Sequence, residues 1–212
     1  EYNSVLDPSI DIVTAFEIFE HMLAPFNILR KINISIPKIY EVYFTRNIII
    51  MEDFGDETFD KLFNKKDLYN LLKISIDNLI IIQNSIINND LIKLDKYSFD
   101  TLQSEISEFV DFYIPYKKID NFPKKSFYEC WKTIYFIQEF DFSSFVHKDY
   151  EFINLIYISK RNKHLKCGVI DFENAFMGFI GWDLFSILEN PRINFTRKYN
   201  DFLIKYFYDN VS

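Results

Sequence analysis

The side chains best equipped for chemistry are His147, Asp149, Asn154 and Asp171, all within the stretch Val146 to Asp171. They are spaced as His-x-Asp, four residues, Asn, an apolar run, a polar turn, a second apolar run and Asp. Leu155–Ile158 and Cys167–Ile170 alternate as β-strands do, and the polar turn between them makes a hairpin. An antiparallel pair brings its first and last residues to one end. Asn154, at the start of one arm, therefore meets Asp171, just past the end of the other, with Asp149 on the loop before. A carboxylate and an amide oxygen suit Mg²⁺, which takes one or two protein ligands and fills its shell with phosphate oxygens and water. A separate positioned carboxylate, Asp149, suits the removal of a proton from an attacking hydroxyl. Phosphoryl transfer to an alcohol is the chemistry this set fits, with Asp149 catalytic and Asn154 and Asp171 as metal ligands.

The surrounding elements are legible from periodicity. Ile10–Leu23 carries Val13, Phe16, Phe19 and Met22 at helical spacing, and Pro25 is expected to end that helix. Ile39–Phe44 and Asn47–Met51 read as strands joined through Thr45-Arg46-Asn47. Asp67 is placed to cap a long helix with Leu68, Leu71, Leu72, Ile74, Leu79, Ile82 and Ile86 on its apolar side. After a polar break at Asp95–Asp100, Thr101–Tyr113 and Ser126–Phe140 read as amphipathic helices, and Ala175–Ile180 as a loop. Trp182–Leu188 and Phe195–Tyr208 are the last helical runs. Strands and a hairpin set among long helices make the fold class α+β.

Composition narrows the field. The 212 residues are 49% hydrophobic, with 24 Phe and 14 Tyr, enough for a sizeable core. Four Gly and six Pro weigh against long linkers. A net charge of −7 weighs against a surface for nucleic acid. Cys130 and Cys167 lack metal-ligand spacing, and Cys167 reads as a small buried hydrophobe. No apolar run approaches the ~20 residues of a membrane span, and no signal peptide is visible, so no membrane partner and a cytoplasmic location are expected.

Three motifs together resemble the aminoglycoside phosphotransferase and choline kinase family. They are His147-Lys148-Asp149-Tyr150-Glu151-Phe152-Ile153-Asn154-Leu155-Ile156, Gly168-Val169-Ile170-Asp171-Phe172-Glu173-Asn174-Ala175, and Gly178 with Trp182-Asp183-Leu184. Within that family the pattern is most similar to bacterial kinases of N-acetylmuramate and N-acetylglucosamine, which act on the anomeric hydroxyl in cell-wall recycling. The resemblance implies a protein-kinase-like fold of two lobes. Residues 1–54 would form a truncated, mainly β nucleotide-binding lobe, and residues 55–212 a mainly helical catalytic and acceptor-binding lobe carrying the hairpin. It implies ATP, or another nucleoside triphosphate, and Mg²⁺ as cofactors and a small-molecule acceptor, an amino sugar. By the same resemblance Glu52, Asp53 and Phe54 form the hinge that meets the nucleotide base, largely through main-chain atoms. Glu105 faces the acceptor. His147 and Asp183 support the catalytic loop. Glu173, where protein kinases have Gly, is a substrate-side candidate that reaches either the second-metal side or the sugar. Either Glu17 or Glu20 corresponds to the helix glutamate that orients a phosphate-binding Lys.

The chain also departs from the pattern. No Gly precedes Gly55, so no Gly-rich phosphate loop is present, and Tyr2–Leu6 lacks the strand Lys. Phe112 stands where the sugar-kinase branch usually has Trp. A fragment of a longer kinase, or a relative with a shortened first lobe, fits these departures. Two rival functions follow: a kinase-like binding module with weak catalysis, and a metal-dependent hydrolase built on His147, Asp149 and Asp171.

Overall fold

The computed structural model describes residues 23–46, 48–63, 67–86, 94–137, 141–190 and 199–211. The expected helix Ile10–Leu23, with Glu17 and Glu20, lies almost wholly outside them. Residues 23–29 are helical, so Pro25 sits inside a helix and does not end it. Proline's fixed φ is helical, and the bond its missing N–H forfeits is the one back to residue 21, which lies outside the described residues.

β1 (Ile39–Tyr43) pairs antiparallel with β2 (Ile48–Met51), matching Val42 with Ile49 and Tyr43 with Ile48. Phe44, expected to close the first strand, instead enters the 3₁₀ turn Phe44–Arg46 that joins the two. The chain leaves β2 through residues 52–57 and makes the short helix α1 (Phe59–Leu62).

α2 (Leu68–Ile86) is the axis of the helical body. Asp67 caps it, accepting from the Tyr69 N–H at 3.1 Å. Leu71, Leu72, Ile76, Leu79 and Ile82 are buried along one stripe, against Leu184, Ile187, Leu203 and Phe207 of the last two helices. Three polar residues share that buried face, and each is tied to the backbone. Ser75 Oγ donates to the Leu71 carbonyl at 2.9 Å, Asn78 Nδ2 to the Cys167 carbonyl at 3.1 Å and Gln83 Nε2 to the Phe145 carbonyl at 2.8 Å. Buried polar groups persist only when paired. The last two bonds fasten the strands that flank the catalytic stretch to the central helix.

α3 (Phe99–Glu108) begins two residues before the expected Thr101, because Ser98 caps it by accepting the Thr101 N–H at 3.1 Å. It continues through one π-turn, Phe109–Tyr113, into Ile114–Tyr116. α4 (Lys124–Ile137) likewise starts ahead of Ser126, its first helical bond running from the Phe127 N–H to the Pro123 carbonyl. Residues 138–140 of the expected helix lie outside the described residues. β3 (Ser144–Val146) leads into the loop that carries His147, Asp149 and Asn154. β4 (Leu155–Tyr157) and β5 (Cys167–Val169) form the expected hairpin, with Leu155 opposite Val169 and Tyr157 opposite Cys167. Ala175–Ile180 is not simply a loop: β6 (Phe176–Gly178) within it pairs antiparallel with β3. Three residues are too few for alternation to reveal. α5 (Trp182–Leu188) matches its expected bounds, and α6 (Asn200–Asn210) ends two residues beyond the expected Tyr208. The architecture is α+β, with a small sheet ahead of a mainly helical body.

Gly168 marks a close approach between the two parts. A Cβ there would lie 2.5 Å from the Phe54 ring and 2.9 Å from Ile158. Gly168→Ala is expected to cost about 1–3 kcal/mol by overpacking, read as a lower urea midpoint with an unchanged slope.

Candidate functional site

The hairpin register carries the site. The Ile170 N–H donates to the Asn154 carbonyl at 3.2 Å, so the residues following β5 and preceding β4 close at one end. Asp171 follows at once with φ +65°. Lys148, between His147 and Asp149, has φ +79°. Side chains with a Cβ seldom adopt this left-handed region, and such strain gathers where surrounding structure enforces it.

The enforcement is visible. Asp183, at the start of α5 and buried, accepts from the N–H of His147 at 2.7 Å and of Lys148 at 3.2 Å. Burial pushes its carboxyl up to about 7, against the pull of those two donors. His147 is fully buried, and its Nε2–H donates to the Ile170 carbonyl at 3.0 Å, joining the loop to the hairpin. Burial lowers its pKa to about 4, so the ring is neutral near pH 7. Tyr150 is buried with its hydroxyl on the Ser75 carbonyl of α2 at 2.9 Å. Asn154 Nδ2 donates to the Asp149 carbonyl at 2.9 Å, which anchors the amide nitrogen and leaves the oxygen as its free donor atom.

Two clefts are lined by residues that this loop contacts, Ile170 in one and Glu105 in the other. The first, about 470 Å³, has Glu52, Asp53 and Phe54 on one wall and Ile170, Asp171, Phe172 and Glu173 on another. It unites the expected hinge with the expected metal aspartate. Burial raises the pKa of Glu173, and the charges of Asp171 and Asp149 add to the rise. Among the described residues no three His, Cys, Asp or Glu side chains converge as a metal cage. An amide oxygen and a carboxylate beside further negative charge still fit Mg²⁺, whose remaining ligands are phosphate oxygens and water.

The segment 52–54 is fixed from a direction the sequence did not suggest. Arg161, in the turn of the hairpin, pairs with Glu52 at 2.7 Å, and its guanidinium lies 4.9 Å from the centre of the Phe54 ring. Asp53 Oδ1 accepts from the Gly55 N–H at 2.7 Å, closing a tight turn at Gly55, whose φ is +80°.

The second cleft, about 750 Å³, lies between α3, α4 and the start of α5 and is lined by Glu105, Tyr97, Trp131 and Trp182 among others. Glu105 is thus apart from Asp171 and Glu173. Lys148 spans the gap, its ammonium 2.9 Å from Glu105 Oε1. Arg161 and Lys148 are the site residues the sequence reading passed over. Lys148 stands inside the motif, whereas nothing in a polar turn signals the partner that Arg161 finds 109 residues earlier.

The fold recurs in solved structures. The chain aligns with ADP-bound aminoglycoside phosphotransferase APH(2″)-Ib at a TM-score of 0.60 and 16% identity, over 90% of this chain and 66% of that one. It also aligns with the streptomycin–ATP–APH(2″)-IIa ternary complex at 0.56 and 18%, over 92% and 68%. The chain has the protein-kinase-like fold of the aminoglycoside phosphotransferases. In sequence, the kinase-like chain is 25% identical over 168 residues to the N-acetylmuramate/N-acetylglucosamine kinase of Caulobacter vibrioides. That match covers 75% of this chain and 46% of the relative, so the chain spans about half the length of the curated relative it matches. No protein-family model matches. Among the described residues no helix is long and apolar enough to cross a membrane.

The buried neutral histidine of this kinase-like loop has a pH signature. Its pKa is lowered from 6.5 in the unfolded chain to about 4 in the folded one, so between those values the unfolded chain binds the extra proton. Stability relative to a His147→Gln variant is therefore expected to be constant above pH 6.5 and to fall as the pH is lowered towards 4. Urea unfolding of both proteins across that window checks it.

Proposed function

We propose that the chain is the catalytic part of an ATP-dependent phosphotransferase whose acceptor is a hydroxyl of a small molecule. The acceptor is an amino sugar of the N-acetylmuramate or N-acetylglucosamine type, phosphorylated at its anomeric hydroxyl. The observation that carries this reading is the first cleft, where Glu52–Phe54 face Asp171 at the end of the hairpin. The kinase-like fold and the sugar-kinase relative support it. Residues 1–54 belong to the nucleotide-binding lobe and residues 55–212 to the catalytic and acceptor-binding lobe.

The residues divide the work by position. The backbone of 52–54 receives the adenine, and the Arg161–Glu52 pair holds that segment in place. Asn154 and Asp171 hold Mg²⁺, which when bound offsets the charge of the donor phosphates. The charge of Asp149 adds to the rise in the pKa values of Glu173 and Asp183. Asp149 orients the acceptor hydroxyl and takes its proton as that oxygen bonds to the γ-phosphorus. The bond from the γ-phosphorus to the bridging oxygen breaks, and ADP leaves with the electron pair. Glu173 faces the donor phosphates and their cation. Neutral His147 and buried Asp183 hold the loop and take no part in proton transfer.

Incubation with γ-labelled ATP, Mg²⁺ and a panel of amino sugars tests this. Asp149→Asn is expected to slow transfer by roughly 10²–10⁴-fold with nucleotide affinity retained. Transfer untouched by the substitution contradicts the assignment of Asp149. Nucleotide binding with no transfer to any sugar favours the binding-module reading, and phosphate release without an acceptor favours the hydrolase.

A further inference from the structure

The second cleft has a charge arrangement that phosphoryl transfer alone does not require. Its walls are aromatic, with Tyr97, Phe109, Trp131, Tyr135 and Trp182 among the lining residues. The π-turn starts at Phe109, whose ring stacks on Phe127 at 5.4 Å and on Tyr113 at 5.0 Å. Glu105 is the acidic residue among the described lining residues. Both of its oxygens are engaged from within the protein, Oε1 by the Lys148 ammonium at 2.9 Å and Oε2 by the Tyr97 hydroxyl at 2.7 Å.

Lys148 does not reach Glu105 by the chance of a flexible surface side chain. Its backbone is held at φ +79° with its N–H on Asp183, and the next residue is Asp149. The pair is partly open, each side chain about a third exposed at 36%, so an entering ligand can reach it. An amine cation entering the cleft must displace one ammonium to meet the carboxylate and is repelled by that ammonium on approach. An uncharged ring meets no such opposition and gains by covering aromatic faces with its C–H groups.

On the reading that this cleft receives the acceptor, we infer that Lys148 sets the acceptor's charge class. By neutralising Glu105 it makes the cleft a site for a ring-faced polyol that carries no cationic group, with any amine acylated, and it turns free amines away. Lys148 acts here as a specificity-determining residue distinct from the catalytic Asp149.

The chain's two tryptophans, Trp131 and Trp182, both line this cleft, so intrinsic fluorescence reports its occupancy without any turnover. The probes are N-acetylglucosamine, its free-amine counterpart glucosamine, and the polyamine gentamicin. The wild type is expected to respond to N-acetylglucosamine at concentrations where the two amines give no response. Lys148→Gln is expected to raise the affinity for glucosamine relative to N-acetylglucosamine by at least about tenfold. Lys148→Arg, which keeps the charge, is expected to retain the wild-type preference and controls for damage to the loop. A wild type that prefers either amine, an unchanged preference in Lys148→Gln, or no response to any probe overturns the inference. The expected preference without any transfer from ATP supports it while counting against the phosphotransferase reading.

Discussion

One buried carboxylate organises the catalytic stretch. Asp183 takes the amide hydrogens of His147 and Lys148, and His147 passes the constraint on to the hairpin through the Ile170 carbonyl. A left-handed residue with a side chain costs about 1–3 kcal/mol. A hydrogen bond to a charged group contributes about 1.5–3 kcal/mol. Two such bonds on adjacent amides oppose the strain at Lys148. The carboxylate sits in the first turn of α5, where the helix dipole favours negative charge. Its pKa is nonetheless raised to about 7, so burial outweighs dipole and donors together. Removing Asp183 would release both the strained turn and the histidine that ties it to β5.

From that anchor the two clefts follow. On one side the hairpin brings Asp171 and Glu173 up to Glu52–Phe54, and its turn sends Arg161 back to clamp the same segment. Glu52–Phe54, Asp171 and Glu173 therefore line one cleft, with Gly168 leaving room for Phe54 to pack against the hairpin. On the other side Lys148 leans towards α3 and Glu105. Negative charge gathers at the first cleft, with Asp171 and Glu173 on its wall. At the second cleft the charge of Glu105 is paired with Lys148, and aromatic faces dominate.

Much of this was legible from residue order because local physics dictates it. Two short apolar runs, Leu155–Ile158 and Cys167–Ile170, around a polar turn read as a hairpin, and the hairpin's register brings the backbones of Asn154 and Ile170 together, with Asp171 next in sequence. The apolar stripe of α2 and its Asp67 cap were equally plain. What escaped depends on distant partners or on very short elements. β6 exists because β3 lies beside it. Ser98 caps α3 within what reads as a polar break. Pro25 reads as a terminator, yet residues 23–29 are helical. The separation of Glu105 from Glu173 into different clefts, and the roles of Arg161 and Lys148, rest on contacts across roughly 40 to 110 residues, which periodicity cannot encode.

The claim at the centre of this account is that Asn154 and Asp171 share one divalent cation with the nucleotide. Mn²⁺ in place of Mg²⁺ makes that site visible by paramagnetic broadening of NMR signals. With ATP and Mn²⁺ present, the side-chain amide of Asn154 and the backbone amides of Asp171 and Phe172 are expected to broaden first, while signals from α6 stay sharp. Broadening centred elsewhere, or none that depends on ATP, would contradict it.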